Sequence, residues 1–317
     1  MKEVPFNKAL VTGGAGFIGS HLVDALVHAG CRVTVLDNLS TGHLRNLHRS
    51  RQHITFVDGD IRDRDLVADL SRGCQVVFHL AAVVSVPQTV QDPIESADIN
   101  EIGTLSVLDA ARRNGVERVI LSSSCAVYGD GPELPKQEKT PAHPRSPYAL
   151  QKLAGEWHAA LFADLFGLGT VCLRYFNVYG PRQDPASPYS GVISLFMKCA
   201  TVQEAPLIYG DGQQCRDFVF VKDVVTANLL AASVEDAGGT VLNIGTGRIV
   251  TIQQLWEMIQ EISGCRTAPE FRSERPGDIR KALADIGQAR SELGFEPRYG
   301  FEEGLERTYD WYRNTGF

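Results

Sequence analysis

The chain is 317 residues long, 44% hydrophobic and 22% charged, with a formal net charge of −7. Such a chain is globular and large enough for one large domain or two smaller ones. Its negative charge argues against nonspecific binding to nucleic acid or an anionic membrane, so an anionic small molecule has to be met by locally placed arginines. Seven cysteines stand singly, without paired or metal-ligand spacing, which predicts reduced thiols, no metal site and a cytoplasmic location. No signal-peptide core and no apolar run of membrane-spanning length is read.

Lys8 to Thr12 is a short β-favouring run leading into Gly13, Gly16 and Gly19, then an amphipathic pattern with Leu22, Val23, Leu26 and Val27. This order predicts strand, tight turn and helix, with glycines letting the backbone approach a pyrophosphate at the helix N-terminus. A second strand, Arg32 to Leu36, ends in Asp37. A carboxylate there suits the adenosine ribose hydroxyls and repels a 2′-phosphate, so the expected cofactor is NAD rather than NADP. Ile54 to Val57, followed by Asp58 and Asp60, and Val76 to Leu80, followed by Ala81 and Ala82, read as further strands.

Strands alternating with helical segments predict an α/β fold built on a Rossmann-type, doubly wound parallel sheet. Such sheets bind ligands at the carboxyl ends of their strands, where Gly13, Asp37, Asp60, Ala81 and Ser124 converge. Asp92 to Arg113 reads as one long helix with Pro93 in its first turn. Val119 to Leu121 is the next strand and delivers Ser122, Ser123 and Ser124. Pro132, Pro135, Pro141, Pro144 and Pro147 crowd the segment between Tyr128 and Tyr148, which predicts an ordered loop. Tyr148 to Phe166 then reads as a helix and Val171 to Tyr175 as a strand.

Beyond Asn177 the chain becomes turn-rich, Val192 to Ala200 is helical, and Thr240 to Ile244 returns as a strand. The expected division is a dinucleotide-binding domain of residues 1–176 with 217–247. A smaller, interleaved α/β substrate domain takes 177–216 with 248–317.

Tyr148 and Lys152 stand four apart and share one helical face. A phenol titrates near ~10, and bringing it to about 7 takes roughly 4 kcal/mol of preferential stabilisation of the anion. The Lys152 ammonium and an oxidised nicotinamide ring are the cations suited to this, making Tyr148 a general base. Ser124 bridges substrate and Tyr148 in this reading.

These pieces together resemble the extended short-chain dehydrogenase/reductase family, and within it the nucleotide-sugar 4-epimerases. The resemblance rests on the glycine segment Thr12–Gly19, Asp37 with Asn38, Asp58–Asp60, His79–Ala82, Ser122–Gly129, Tyr148 with Lys152, Arg174–Asn177, Arg216–Val219 and Arg275–Asp278. It implies catalytic roles for Ser124, Tyr148 and Lys152. It implies NAD contacts from Gly13, Gly16, Phe17, Ile18, Gly19, Asp37, Asn38, Asp60, Ile61, Leu80, Ala81, Ala82, Ser122, Tyr148, Lys152 and Tyr175. For a UDP-sugar it implies a diphosphate clamp of Asn177, Arg216 and Arg275, a ribose contact at Asp278, and further substrate contacts from Ser85, Val192 and Ala282. The implied reaction is removal of the 4-hydroxyl proton with hydride loss from C4, rotation of the 4-keto sugar, and hydride return to its other face.

Related dehydratases carry an acidic pair, and related decarboxylases a glutamate, where this chain has Cys125 and Ala126. That departure favours epimerisation, with a uronic-acid substrate, a dehydratase or reductase, and a non-catalytic dinucleotide sensor as alternatives. A homodimer joined through the helices Asp92–Arg113 and Tyr148–Phe166 is expected from the family, although Leu105, Leu108, Ala154, Ala160 and Leu161 could equally cover the sheet. In the family a bulky residue after the Arg275–Asp278 motif restricts the sugar C2 substituent. Alignment places Ala282 there, or Leu283 if displaced by one residue. With Tyr179–Pro185 and Tyr189–Ile193, this points to UDP-GlcNAc and UDP-GalNAc, with UDP-Glc and UDP-Gal also accepted.

Overall fold

A computed structural model describes residues 4–184, 191–234, 238–274 and 280–315. The first half runs β1 (Lys8–Thr12), α1 (Phe17–His28), β2 (Arg32–Asp37), β3 (Ile54–Asp58), α2 (Arg64–Ser71) and β4 (Val76–His79). Then come α3 (Val86–Gln91), α4 (Pro93–Ala97), α5 (Gly103–Arg113), β5 (Arg118–Ser124), α6 (Pro147–Phe166) and β6 (Gly169–Tyr175). The second half contains β7 (Asn177–Tyr179), α7 (Val192–Val202), β8 (Leu207–Tyr209), β9 (Cys215–Arg216), β10 (Phe218–Phe220), α8 (Val221–Ser233) and β11 (Gly238–Ile244). It closes with β12 (Val250–Thr251), α9 (Ile252–Ser263), β13 (Glu270–Arg272), α10 (Gly287–Leu293) and α11 (Phe301–Thr315).

Seven strands form one parallel sheet in the order β11-β6-β5-β4-β1-β2-β3. The order reverses between β1 and β4, which opens the crevice where such sheets bind ligands. The inner strands β1, β4, β5 and β6 are buried on both sides because helices cover both faces, whereas the edge strand β3 stays partly exposed. Ala9, Val11, Val76, Phe78 and Ile120 join the core under α1 and α8, while the alternate residues Leu10, Val77 and Val119 join the core under α2 and α5. A separate core holds Tyr179, Phe196, Met197, Phe218, Phe220, Leu255, Trp256 and Tyr312 beside the sheet. The fold is thus a Rossmann-type doubly wound sheet with a smaller α/β unit set against it.

The segment expected as one helix from Asp92 to Arg113 is interrupted. Asp92 caps α4, accepting from the Glu95 amide at 3.0 Å, and Asp98–Ile102 form a π-helical turn before α5. The cause lies in Asn100, whose side chain leaves the helix to bond both backbone groups of Val83, at 2.8 and 2.9 Å. Such bulges mark functional sites. The proline-rich loop is ordered by long-range pairing, with Lys136 donating to the Leu283 carbonyl and Asp285 donating to the Lys136 carbonyl, both at 2.8 Å. Among the described residues no helix is long and apolar enough to cross a membrane, and no cluster of His, Cys, Asp or Glu is arranged to hold a metal.

Candidate active site

The cofactor cradle lies at the carboxyl ends of β1, β2 and β4. Gly13 has φ +69, and a Cβ there would sit 2.7 Å from the Ala81 amide nitrogen, so only glycine permits this approach of two loops. At Gly19 a Cβ would collide with the Gly13 carbonyl. The amides at the start of α1, around Phe17 and Ile18, are thereby left open to a phosphate. Asp37 is buried, and its carboxylate accepts from the amides of Ala15 at 2.9 Å and Leu39 at 2.8 Å. Burial pushes its pKa up, opposed by those two amides.

Asp60 is gripped by Arg62, whose Nε and Nη2 donate at 3.0 and 2.8 Å, and by the Asn38 side chain at 3.0 Å. The Arg62 hydrogen bonds hold its carboxyl below the usual range. Ile61 is buried beside Gly103, and Leu80, Ala81 and Ala82 are half-buried along the crevice. The residues present fit a dinucleotide with an unphosphorylated ribose.

Behind this edge runs a buried polar chain absent from the sequence reading. The Ala81 amide donates to Thr12 Oγ1 at 3.3 Å, Thr12 pairs with His79 Nδ1 at 2.7 Å, and His79 Nε2 pairs with Thr104 Oγ1 at 3.0 Å. Thr104 gives its proton to the Asn100 carbonyl, so the proton on His79 sits on Nε2. Burial pushes His79 down to about 3, keeping it neutral. Asn100 also donates to Gln151 at 2.7 Å, tying the π turn to α6 one residue before Lys152. Polar residues closing otherwise apolar strands, Thr12 and His79, were the available signal.

Ser124, Tyr148 and Lys152 lie together where the end of β5 meets the start of α6. Ser146 caps α6, accepting from the Ala149 amide, with Pro147 in the first turn, so the helix starts just before Tyr148. Ser124, at the end of β5, bonds the Tyr148 hydroxyl. Lys152 Nζ donates to the Ser122 carbonyl at 2.8 Å. Burial pushes the phenol up to about 12 and the ammonium down to about 8. The neighbouring Cys125 thiol is pushed up to about 12, by burial and by Asp217. It is a neutral group where a carboxylate would serve a dehydratase or decarboxylase.

Of the residues expected to hold the substrate, Asn177 opens β7 and Arg216 closes β9, both half-buried. Asn177 donates to the Asp217 carbonyl from its backbone at 3.0 Å and its side chain at 3.3 Å. Asp217 is fully buried. It accepts from Thr246 N and Oγ1, Gly247 N and Ala284 N at 2.8, 2.7, 2.9 and 3.1 Å, fastening the strand of Arg216 to the segment of Ala282. Ala282 is buried, and its amide donates to the Cys215 carbonyl.

Ser85 caps α3 by accepting from Gln88. Val192 opens α7, and the Tyr175 hydroxyl is committed to Asn228 on α8. Arg275, Asp278 and Tyr189 lie outside the described residues.

A glycine cradle beside a Ser–Tyr–Lys trio at the carboxyl edge of a doubly wound sheet defines an NAD-using enzyme of the short-chain dehydrogenase/reductase class. A family model described as "NAD dependent epimerase/dehydratase family" matches residues 9–245, and the chain belongs to that family. It is 40% identical over 311 residues to a UDP-glucose 4-epimerase of Mycolicibacterium smegmatis, covering 97% of this chain and 99% of the relative. Among solved structures it resembles a UDP-N-acetylglucosamine 4-epimerase of Methanobrevibacter ruminantium in complex with UDP-N-acetylmuramic acid. That match has a TM-score of 0.93 at 41% identity and covers 98% of this chain and 99% of the other. It equally resembles a UDP-glucose 4-epimerase of Thermotoga maritima with UDP-glucose, with a TM-score of 0.93 at 42% identity, covering 97% and 99%. The protein is an epimerase, and its cofactor is NAD.

Proposed function

We propose that this epimerase interconverts C4 epimers of UDP-hexoses, with UDP-GlcNAc and UDP-GalNAc as the preferred pair and UDP-Glc and UDP-Gal also accepted. The carrying observation is a Ser124–Tyr148–Lys152 trio whose neighbours, Cys125 and Ala126, provide no carboxylate. Neither of these side chains can move a proton at C5 or C6, whereas C4 inversion needs one base and a hydride carrier. Bound NAD supplies the hydride acceptor and donor and, when oxidised, a second positive charge near Tyr148.

The chain's own residues do the rest. Ser124 orients the 4-hydroxyl toward Tyr148, which takes its proton, and Lys152 favours the resulting phenolate. Asn177, Arg216 and Arg275 hold the diphosphate while the sugar turns, guanidinium forks being well matched to phosphate oxygens. The other residues assigned above to NAD and to the substrate belong to the same reading. So do the division into residues 1–176 with 217–247 and 177–216 with 248–317, a homodimer and a cytoplasmic location.

Purified protein incubated with each UDP-sugar and no added cofactor is followed by proton NMR. Appearance of the C4 epimer of the N-acetylated and plain hexose pairs is expected. A 4-keto-6-deoxy or decarboxylated product would replace this reading with the dehydratase or decarboxylase one, and strict dependence on added NADPH would indicate a reductase.

A further inference from the structure

We infer that Glu156 is a positioning residue for the trio, one buried carboxylate that fixes the end of β5 and sustains the charge of Lys152. The inference rests on Tyr148 and Lys152 being the reacting pair. Tyr148, Lys152 and Glu156 stand at every fourth residue of α6, so their side chains rise along a single helix face. The Glu156 side chain is 2% exposed. It accepts a fork from Arg174 on β6, Nε to Oε1 at 2.8 Å and Nη2 to Oε2 at 2.6 Å, and Oε1 also accepts the Ser123 hydroxyl.

Ser123 lies between Ser122, whose carbonyl receives the Lys152 proton, and Ser124, which touches Tyr148. Consecutive turns of α6 therefore grip consecutive residues of β5, and the atom that meets the reacting phenol belongs to the next residue. A shift of β5 by a few tenths of an ångström would separate Ser124 from both the substrate and Tyr148, and such misplacements are costly to rate.

The same carboxylate is the one anion facing Lys152 among the described residues. Tyr148 and Glu156 face it from α6, Cys172 and beyond it Arg174 from β6, and His79 from β4. His79 is neutral, and burial raises the Cys172 thiol so that it stays protonated. Arg174 is held by Glu156, lies 4.7 Å over the Tyr128 ring and donates to the Glu138 carbonyl, so its charge is turned away from the ammonium. Glu156 thus opposes the burial that drives the proton off Lys152.

The test uses the full NAD-loaded chain with UDP-glucose, recording kcat and KM against pH. Glu156→Gln should lower kcat about 10-fold with KM little changed, and move the alkaline fall of kcat about one pH unit lower. Because Glu156→Gln strands a buried guanidinium, Glu156→Gln/Arg174→Met is measured beside it, the whole pair being replaceable by apolar groups with little loss of folding. The shifted alkaline fall should persist in the double variant. Recovery there of wild-type kcat and pH profile would overturn the inference, leaving Glu156 as a mere partner of Arg174.

Ser123→Ala should lower kcat several-fold at unchanged alkaline pH dependence. Full activity would remove the grip on β5. Tyr148→Phe serves as the parallel control, since activity surviving in that variant would fault the reading of the reacting pair itself and not the part played by Glu156.

Discussion

The ammonium of Lys152 lies 5.9 Å from the centroid of the Tyr148 ring. That places the positive charge beside the phenol, while one of the three Lys152 N–H groups is donated to the Ser122 carbonyl. One cation at this range does not offset burial, and the phenol stands at about 12. In the proposed reaction Tyr148 therefore needs a second cation beside Lys152 to act as a base.

Tyr148→Phe should lose at least about 10²-fold in kcat, the usual contribution of a positioned acid or base, while keeping its bound NAD. The wild-type pH profile should have two limbs. Activity rises as Tyr148 loses its proton and falls as Lys152 discharges, the latter near pH 8 where the ammonium is placed by burial. Lys152→Met should push the rising limb to higher pH by removing the cation from the phenol. Turnover assays from pH 5 to 10 check the signs, and a rising limb unmoved in Lys152→Met would show that Tyr148 does not feel that charge.

Asp37→Ser should let the protein accept NADP as well as NAD. It removes the carboxylate that repels a 2′-phosphate, and it also strips the acceptor from the Ala15 and Leu39 amides. The stability cost should be about 1–3 kcal/mol. Identifying the nucleotide retained after reconstitution with either dinucleotide, together with Tm, checks both parts. Unchanged exclusion of NADP would place the discrimination elsewhere.

The glycine segment, Asp37 and the Tyr148–Lys152 pair could be read because each is local, a spacing within one turn, one strand end or one helix, whereas Ser124 reaches Tyr148 only through the fold, from the end of β5. The sheet was legible because its strands are apolar runs separated by helical periods. The Thr12–His79–Thr104 chain, the Asn100 turn and the Glu156–Arg174 pair were not, since their partners lie 17 to 67 residues apart. Asp217 shows the limit well. It adjoins Arg216 in the chain, yet its oxygens are filled by Thr246, Gly247 and Ala284, groups that only the fold brings near.

The protein should be a homodimer through α6 and the helices beside it. Leu150, Trp157 and Leu161 stand about half a turn from Tyr148 and are exposed, Trp157 by 63%, and Ile94 on the adjoining α4 is 76% exposed. Leu108, in contrast, is fully buried under the sheet. An apolar face of this extent on one side of the catalytic helix is suited to a second copy of itself. Light scattering at micromolar concentration should give twice the monomer mass, and Trp157→Glu with Leu161→Glu should give the monomer. A wild-type monomer would refute the arrangement.

Ala282→Tyr should suppress turnover of UDP-GlcNAc and UDP-GalNAc while sparing UDP-Glc and UDP-Gal. The Ala282 amide is pinned to the Cys215 carbonyl at 3.1 Å, and the Cys215 amide to the Arg280 carbonyl at 2.9 Å, so the segment is fastened to the strand that presents Arg216. Its backbone cannot retreat without disturbing that strand. At 8% exposure the site leaves a phenol ring little room, and in the proposed reading the ring would compete with a C2 acetamide but not with a hydroxyl. Steric discrimination of this kind is worth about 1–3 kcal/mol, or roughly 10–200-fold in kcat/KM. Comparing kcat/KM for the four UDP-sugars in wild type and variant reads the effect directly. Wild-type activity confined to UDP-Glc and UDP-Gal, or a variant indifferent to the acetamide, would show that another residue, with Leu283 the first to test, lines the C2 side of the pocket.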